Sequence, residues 1–481
     1  MMSGITAKES LSAEPDRMNV LFIISDDLTA TALSCYGNTV CSTPNIDALA
    51  SSGTRFTRAY CQGTYCGPSR ASLMSGYYPH ATGVFGYKNP RPQIGDRATW
   101  SQHFKNNGYF AARVSKIFHM GVPGGIEDHG TDQDYNGADD ERSWTQRFNS
   151  PGPEWRAEGD GETLERNPNG TKPVVGGNTF VVVEADGDDS VHSDGKTATK
   201  ACELLQQERV DPFWLGVGFV RPHVPFVAPR EYFADFKPYD RIELPPKVPG
   251  DWDDIPTLGI NYKTSRNMQM DFRRQKKAVG GYYAAVRYMD AQVGKVLSVL
   301  DASGKADNTI VIFTSDHGYH LGEHDFWAKV SLRDESAAVP LIIRVPGKQP
   351  AVCSSFVELL DLYPTVASLC GLEVPPHIQG VDISAMLDDP TVTVRESAFC
   401  VAPMRKGFLI RENRFAFIQY REDGSGGIEL FDVDADPNQY TNLAERTEFQ
   451  PVVKQMQEKL KAKLAEIRDN DLLERSAVDV N

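Results

Sequence analysis

The hydrophobic pattern first becomes regular at Asn19-Val20-Leu21-Phe22-Ile23-Ile24, an unbroken apolar run rich in β-branched residues that stops at Ser25-Asp26-Asp27. Continuous apolarity over so few residues predicts a central parallel strand covered on both faces. A second run, Asn308-Thr309-Ile310-Val311-Ile312-Phe313-Thr314, ends in the same way at Ser315-Asp316-His317-Gly318. Buried strands are also expected at 213–219 and 339–345, with helical periodicity near 196–209, 271–301 and 357–370. Alternation of such strands and helices predicts an α/β fold with a large, mostly parallel sheet between helices. Open sheets of this kind place ligands beyond the carboxyl ends of their strands, so the two acidic strand ends are expected to meet at one site.

Between about 121 and 195 the chain is rich in Gly, Asp, Asn and Pro and has little periodicity, which predicts an irregular insertion over one face of the site. After about 395, short strand-like runs at 408–411, 414–420 and 428–431 lead to a charged helix at about 448–468. The expected organisation is a catalytic α/β domain over 18–394 and a small sheet-and-helix subdomain over 395–481. No internal repeat is visible.

A formal charge of −15 over 481 residues argues against a nucleic-acid partner or an anionic membrane surface. No segment has the length and apolarity of a membrane span. The eight cysteines, at 35, 41, 61, 66, 202, 353, 370 and 400, lack the spacing of a disulfide scaffold or a zinc site. Residues 1–17 are polar and charged, without the apolar core of a secretory leader, and Met18 offers an alternative start. The expectation is a cytoplasmic protein, periplasmic or secreted if a leader has been removed.

The most informative short run is Cys66-Gly67-Pro68-Ser69-Arg70-Ala71-Ser72-Leu73-Met74-Ser75-Gly76. Pro68 suits the first turn of a helix and Gly76 the position just past its end. Residue 66 would then lie at a helix N-terminus, where free N–H groups and the helix dipole favour an anion, and Arg70 adds a permanent charge one turn on. Asp26, Asp27 and Asp316 offer carboxylates, which suit hard cations such as calcium or magnesium. Three carboxylates pooled in a partly dry site need such a partner to stay ionised.

The Cys-x-Pro-x-Arg frame resembles the formylglycine motif of the sulfatases, in which a separate maturation enzyme oxidises the cysteine to an aldehyde. Other segments extend the likeness. Val114-Ser115-Lys116-Ile117-Phe118-His119 is similar to the family segment that brings a lysine and a histidine to the nucleophile, with the three-residue spacing of the iduronate-2-sulfatase branch. Pro222-His223-Val224-Pro225-Phe226 resembles the family's Pro-His-x-Pro-Phe, and Leu321 to Lys329 supplies Lys329 in the style of the same branch. His320, just before that last segment, and His324 within it are expected to orient the loop. The resemblance implies the fold of the alkaline phosphatase superfamily, with a small C-terminal antiparallel sheet plus helix.

It also implies a mechanism. One divalent ion, expected to be Ca2+ rather than Mg2+ or Mn2+, is held by Asp26, Asp27, Asp316, His317 and the modified Cys66. With Arg70 it holds the aldehyde hydrate, one hydroxyl of which attacks the sulfur of a sulfate monoester. Lys116 and Lys329 neutralise the sulfuryl oxygens. His223, with Lys329, protonates the departing oxygen. His119 takes the proton that allows the second hydroxyl to expel sulfate. The implied partners are a small sulfated substrate, of carbohydrate type, and a formylglycine-generating enzyme during maturation. Val330 and Tyr319 stand where the iduronate enzyme has tyrosine and tryptophan, which implies a different sugar pocket. The alternative function within the superfamily is a phosphonate monoester or phosphodiester hydrolase. A silent glycan-binding protein would not need the complete set of nucleophile, metal ligands and leaving-group acid. The oligomeric state is not legible.

Overall fold

A computed structural model describes residues 17–121, 136–175 and 178–472. The N-terminal segment read for a leader and part of the expected insertion lie outside the described residues. The main sheet runs in the order Ala351–Cys353, Thr54–Tyr60, Ala338–Arg344, Thr309–Ser315, Asn19–Asp26, Phe213–Pro222, Phe110–Ser115 and Gln146–Phe148, and Val357–Glu358 also pairs with Thr54–Tyr60. From Thr309–Ser315 to Gln146–Phe148 the neighbours are parallel. Ala338–Arg344 is antiparallel to both of its neighbours and makes the sheet mixed.

The first strand alternates between two cores, as a centrally placed strand must. Leu21 and Ile23 face a layer containing the helices Pro44–Ser52, Ser193–Gln206 and Phe272–Ala302. Val20, Phe22 and Ile24 face the opposite layer, where the helices Cys66–Ser75, Trp100–Asn106 and Leu362–Leu369 pack with Trp214 and Ile312. Both faces of the strand are therefore dry, which is why its sequence shows no polar alternation.

The expected helix at 357–370 is shorter than its periodicity implied. Val357–Glu358 is a strand pair, Leu359–Asp361 a 3-10 turn, and only Leu362–Leu369 is α-helical. The cause is Glu358, whose carboxylate accepts the Phe399 N–H at 2.7 Å and pairs with Arg395 at 2.7 Å, tying this stretch to the next sheet. The described part of the segment 121–195 is more regular than its composition predicts. Gln146–Phe148 joins the main sheet, and Gly159–Thr163 and Val181–Ala185 form a small sheet with Phe226–Pro229. Pairing with distant strands, which local composition does not encode, supplies that order.

Toward the C-terminus, Ser397–Ala402, Gly407–Glu412, Phe415–Tyr420 and Ile428–Asp432 form an antiparallel meander. The helix Gln450–Arg468 lays Val453, Met456, Leu460, Leu464 and Ile467 against Phe408, Ile410, Phe417 and Leu430. This sheet is anchored to the main domain where Val401 N–H donates to Gln62 O at 3.2 Å and Thr64 N–H to Val401 O at 3.0 Å. Among the described residues no helix is long and apolar enough to cross a membrane.

One buried carboxylate fixes the end of a central strand. Asp194, in the first turn of the helix Ser193–Gln206, accepts the Val220 N–H at 2.8 Å and the Arg221 N–H at 2.9 Å, one on each oxygen. These N–H groups lie next to His223. Asp194→Asn would turn an amide donor toward one of them and is expected to cost about 1–3 kcal/mol of folding free energy, measured by denaturant titration. An unchanged midpoint and slope would show that the strand end does not depend on this bond.

Candidate active site

Four neighbouring parallel strands end at the same edge of the sheet, and each is followed at once by a chemically competent residue. The register aligns Ser25 with Ser315, Asp26 with Pro222, and Ser115 with Gly218. Asp316-His317, Asp26-Asp27, His223 and Lys116 therefore emerge side by side. Lys329 arrives from a separate short hairpin, His320–Leu321 with Trp327–Ala328.

Above them lies the helix Cys66–Ser75, with Tyr65 at its N-cap and Gly76 closing it in the left-handed region at φ 79°. Cys66 is the first helical residue and is 1 % exposed. The glycine in the Cys-Gly-Pro-Ser-Arg run has a steric reason, since a Cβ on Gly67 would lie 2.3 Å from the Gly86 carbonyl oxygen. Ser69 donates its hydroxyl to the Asp316 carbonyl, fastening the helix to a strand end.

Arg70 is fully buried and holds the site together. Its Nε donates to Asp316 Oδ2 at 2.8 Å and one terminal nitrogen to Asp26 Oδ1 at 3.1 Å. The other terminal nitrogen donates to the carbonyls of Lys116 at 2.5 Å and Ile117 at 3.0 Å. Lys116 Nζ reaches Asp26 Oδ2 at 2.6 Å. Lys329 Nζ lies 2.7 and 3.0 Å from the two oxygens of Asp27 and 3.3 Å from Cys66 Sγ. Three carboxylates thus face three cations, yet burial, with Asp26 and Asp316 adding to it, still pushes the Asp27 carboxyl above its usual value, as the sequence argument for a metal ion expects. Burial pushes Asp26 up, but Lys116, His223, Arg70 and Lys329 together hold it well below the usual carboxylate range. Burial works against the charge on Lys329, and Asp27 first, with Cys66, Tyr87 and Asp26, more than offsets it, keeping the ammonium protonated.

Ligand atoms of Asp26, Asp27, Cys66 and His223 lie within 4.8 Å of one another, as do those of Cys66, Asp316 and His317. His317 Nδ1 lies 2.9 Å from the Gly318 carbonyl, which can only accept, so Nδ1 carries a proton and Nε2 is turned inward. That nitrogen is 3.2 Å from Asp27 Oδ1 and 3.4 Å from Cys66 Sγ. Three carboxylates and one correctly oriented imidazole fit a divalent ion. Burial first, and Asp26 next, push the Cys66 thiol well above its ordinary value. An unmodified thiol here stays protonated and is a poor nucleophile.

His223 is oriented in the same manner as His317. Its Nδ1 lies 2.6 Å from the Val224 carbonyl, leaving Nε2 turned toward Asp27 Oδ2 at 3.7 Å. Burial, reinforced by Lys329, holds it well below the usual histidine value. The buried Arg221 donates to the His223 carbonyl at 2.6 Å and pairs with Glu154 from the segment 121–195. His119 stands slightly apart. Among the described residues its Nδ1 has no hydrogen-bond partner, and its ring stacks on Tyr87 at 3.8 Å and 11°. His320 is buried beside Phe326, and His324 turns away to Asp251 at 3.1 Å. His324 and Asp251 line a cavity of about 650 Å³ whose walls include none of the residues around Cys66.

Sequence reasoning missed Tyr87, Tyr282, Asp194 and Glu154. Tyr282 donates to the Asp27 carbonyl at 2.7 Å and accepts the Thr29 N–H at 2.9 Å, bracing Asp27 in the left-handed region at φ 64°. Tyr282 lies on the buried face of the long helix, where its apolar periodicity makes it indistinguishable from a core aromatic.

A family profile described as Sulfatase matches residues 18–372. The chain belongs to the sulfatase family. A second profile, N-sulphoglucosamine sulphohydrolase, C-terminal, matches residues 322–466 of this sulfatase. Human iduronate 2-sulfatase is 34% identical over 420 residues, covering 78% of this chain and 72% of that protein. Among solved structures, one in complex with its substrate D-glucosamine-2-N,6-O-disulfate superposes with TM-score 0.70 at 22% identity, covering 96% of this chain and 100% of the other. A phosphonate monoester hydrolase from Silicibacter pomeroyi superposes with TM-score 0.75 at 19% identity, covering 95% and 97%. The protein is a sulfuric ester hydrolase with the mixed α/β fold of the alkaline phosphatase superfamily. Membership implies a divalent metal and a formylglycine-modified cysteine.

Arg70 ties the nucleophile helix to two strand ends through buried charge pairs. Arg70→Ala leaves Asp26 and Asp316 with less compensation in a dry site and is expected to cost about 3–5 kcal/mol, read from denaturant unfolding. Stability equal to wild type would mean that Lys116 and Lys329 suffice to hold the carboxylates.

Proposed function

We propose that this sulfatase releases sulfate from a sulfated sugar or short glycan, with formylglycine made from Cys66 as nucleophile and calcium held by Asp26, Asp27, Asp316 and His317. The observation that carries the reading is the position of Cys66 Sγ, within 3.8 Å of Asp27 Oδ1, His317 Nε2 and Lys329 Nζ. Sγ marks where the oxygens of the modified residue would lie. Calcium bound there would lend positive charge to the sulfuryl oxygens, and the aldehyde hydrate would furnish the attacking oxygen.

The remaining work falls to side chains. Arg70 and Lys116 hold Asp26 in place, while Lys329 is close enough to the nucleophile to neutralise charge that builds on the sulfuryl group. His223, its Nδ1–H committed to Val224, has Nε2 free of a proton at rest, so Nε2 would take up the proton released by the attacking hydroxyl and pass it to the departing oxygen. His119, with Nδ1 unpartnered among the described residues and its ring held by Tyr87, takes the proton whose loss lets residue 66 expel sulfate. The likeness to human iduronate 2-sulfatase supports a sugar ester. The reading also includes maturation by a formylglycine-generating enzyme, a catalytic domain over 18–394 with the subdomain 395–481, and a cytoplasmic setting with short imported substrates.

The test is sulfate release from a panel of 2-O-sulfated uronate, N- and 6-O-sulfated glucosamine, and phenyl sulfate beside a phosphodiester. The protein must be shown by mass spectrometry to carry formylglycine at 66. Release that disappears in Cys66→Ala is the expected result, and faster phosphodiester cleavage with negligible sulfate release would assign the chain to the phosphonate hydrolases instead. Cys66→Ser has one hydroxyl where the hydrate has two, so a single sulfuryl transfer without turnover is expected, and sustained turnover would overturn the scheme.

Metal removal gives an independent check. Because an ion that binds only the folded state stabilises it by about 2.7 kcal/mol at a hundredfold excess over its Kd, a chelator is expected to lower the melting temperature. Calcium should restore it more effectively than magnesium. Equal restoration by both ions would argue against calcium as the preferred occupant.

A further inference from the structure

Tyr262 lies on an irregular stretch before the long helix, and its hydroxyl is sealed from solvent without a hydrogen-bond partner among the described residues. A buried polar group in that condition costs about 1–3 kcal/mol and calls for a reason. Other such atoms belong to residues near the nucleophile, among them Thr64 Oγ1, Ser115 Oγ, His119 Nδ1 and the Tyr319 hydroxyl. His119 Nδ1 has its place in the proton transfers, and Tyr319 is a core ring, 1 % exposed and stacked on Tyr282 at 5.4 Å. Tyr262 differs because the residue is only partly buried although its hydroxyl is sealed, and its backbone is fastened on both sides.

Tyr262 N–H donates to Asn261 Oδ1 at 2.8 Å, and its carbonyl accepts from Asn267 Nδ2 at 2.9 Å. Its neighbours bind the segment that carries Lys329. Asn261 Nδ2 donates to the Trp327 carbonyl at 3.0 Å, and Trp327 N–H donates to the Lys263 carbonyl at 3.0 Å. Tyr262 is therefore held in register with Lys329, and its phenol lies in the field of Lys329, Asp27 and Cys66. Burial keeps the phenol protonated, so it remains a neutral donor. The sulfuryl position is already served by Lys329, whose ammonium lies 3.3 Å from Cys66 Sγ. A neutral donor suits an uncharged oxygen on the rest of the substrate, and Tyr87, 52 % exposed and stacked on His119, offers an apolar face for a ring beside that histidine.

We propose that Tyr262 is a substrate-binding residue whose hydroxyl donates a hydrogen bond to an oxygen of the organic group of the sulfate ester. The inference rests on the sulfate-ester reading of the site and adds a determinant of which ester is accepted.

Tyr262→Phe keeps the ring and removes only the donor. In formylglycine-containing enzyme, kcat/KM on the sugar sulfate that wild type hydrolyses fastest is expected to fall about tenfold. Phenyl sulfate, whose ring bears no oxygen beyond the ester, should be hydrolysed as by wild type. The melting temperature should hold or rise, because the hydroxyl has no protein partner to lose. Unchanged kinetics on the sugar sulfate, an equal loss on both esters, or a melting temperature lower by several degrees would each overturn the proposal. Wild-type enzyme that releases sulfate from neither ester would overturn the underlying reading, which separates that failure from an active wild type with an indifferent variant.

Discussion

The buried fork of Arg70 onto Asp26 and Asp316 is the interaction on which the site depends. It joins a helix on one layer to the ends of two adjacent central strands, across elements far apart in sequence. Desolvating one such charge costs several kcal/mol, so the arrangement survives only if every charge is matched. Each carboxylate has a basic partner, Lys116 sharing Asp26 and Lys329 taking Asp27, although burial still pushes Asp27 above the usual carboxylate value. Neutrality within the site reconciles an acidic chain with a reaction on an anion. A bound divalent cation then adds net positive charge where the sulfuryl group would sit.

Matched charge also accounts for the rigidity around the nucleophile. Glu154 holds Arg221, Arg221 holds the His223 carbonyl, Asp194 holds the same strand end from the other side, and Tyr282 braces the carbonyl of Asp27. Each of these bonds fixes the direction of a side chain that would meet substrate, and pre-set direction is what electrostatic catalysis requires. The segment 121–195 participates through Glu154, so it supports the site as well as flanking it.

Much of this was legible in the chain. The apolar runs ending in Asp26-Asp27 and Asp316-His317, and the frame around Cys66, encode their structure locally, and the structure brings together Cys66, Arg70, Lys116, His223, Lys329 and the three aspartates. The shortened helix after Leu362 and the strands inside 121–195 were not legible, because distant pairing and a buried Glu358 override local periodicity there. Tyr87, Tyr262 and Tyr282 were equally hidden. An aromatic at a core spacing carries no mark of whether its hydroxyl ends on a carbonyl, on substrate or on nothing.

What the sequence determined by itself was the chemistry available and its location at strand ends, since residue type and strand polarity are local properties. Tertiary structure alone decided how the charges pair, which histidine nitrogen is left free, and which hydroxyl lacks a partner. Those depend on distances of a few ångströms between residues hundreds of positions apart, in a dry site where each unmatched group carries a large penalty.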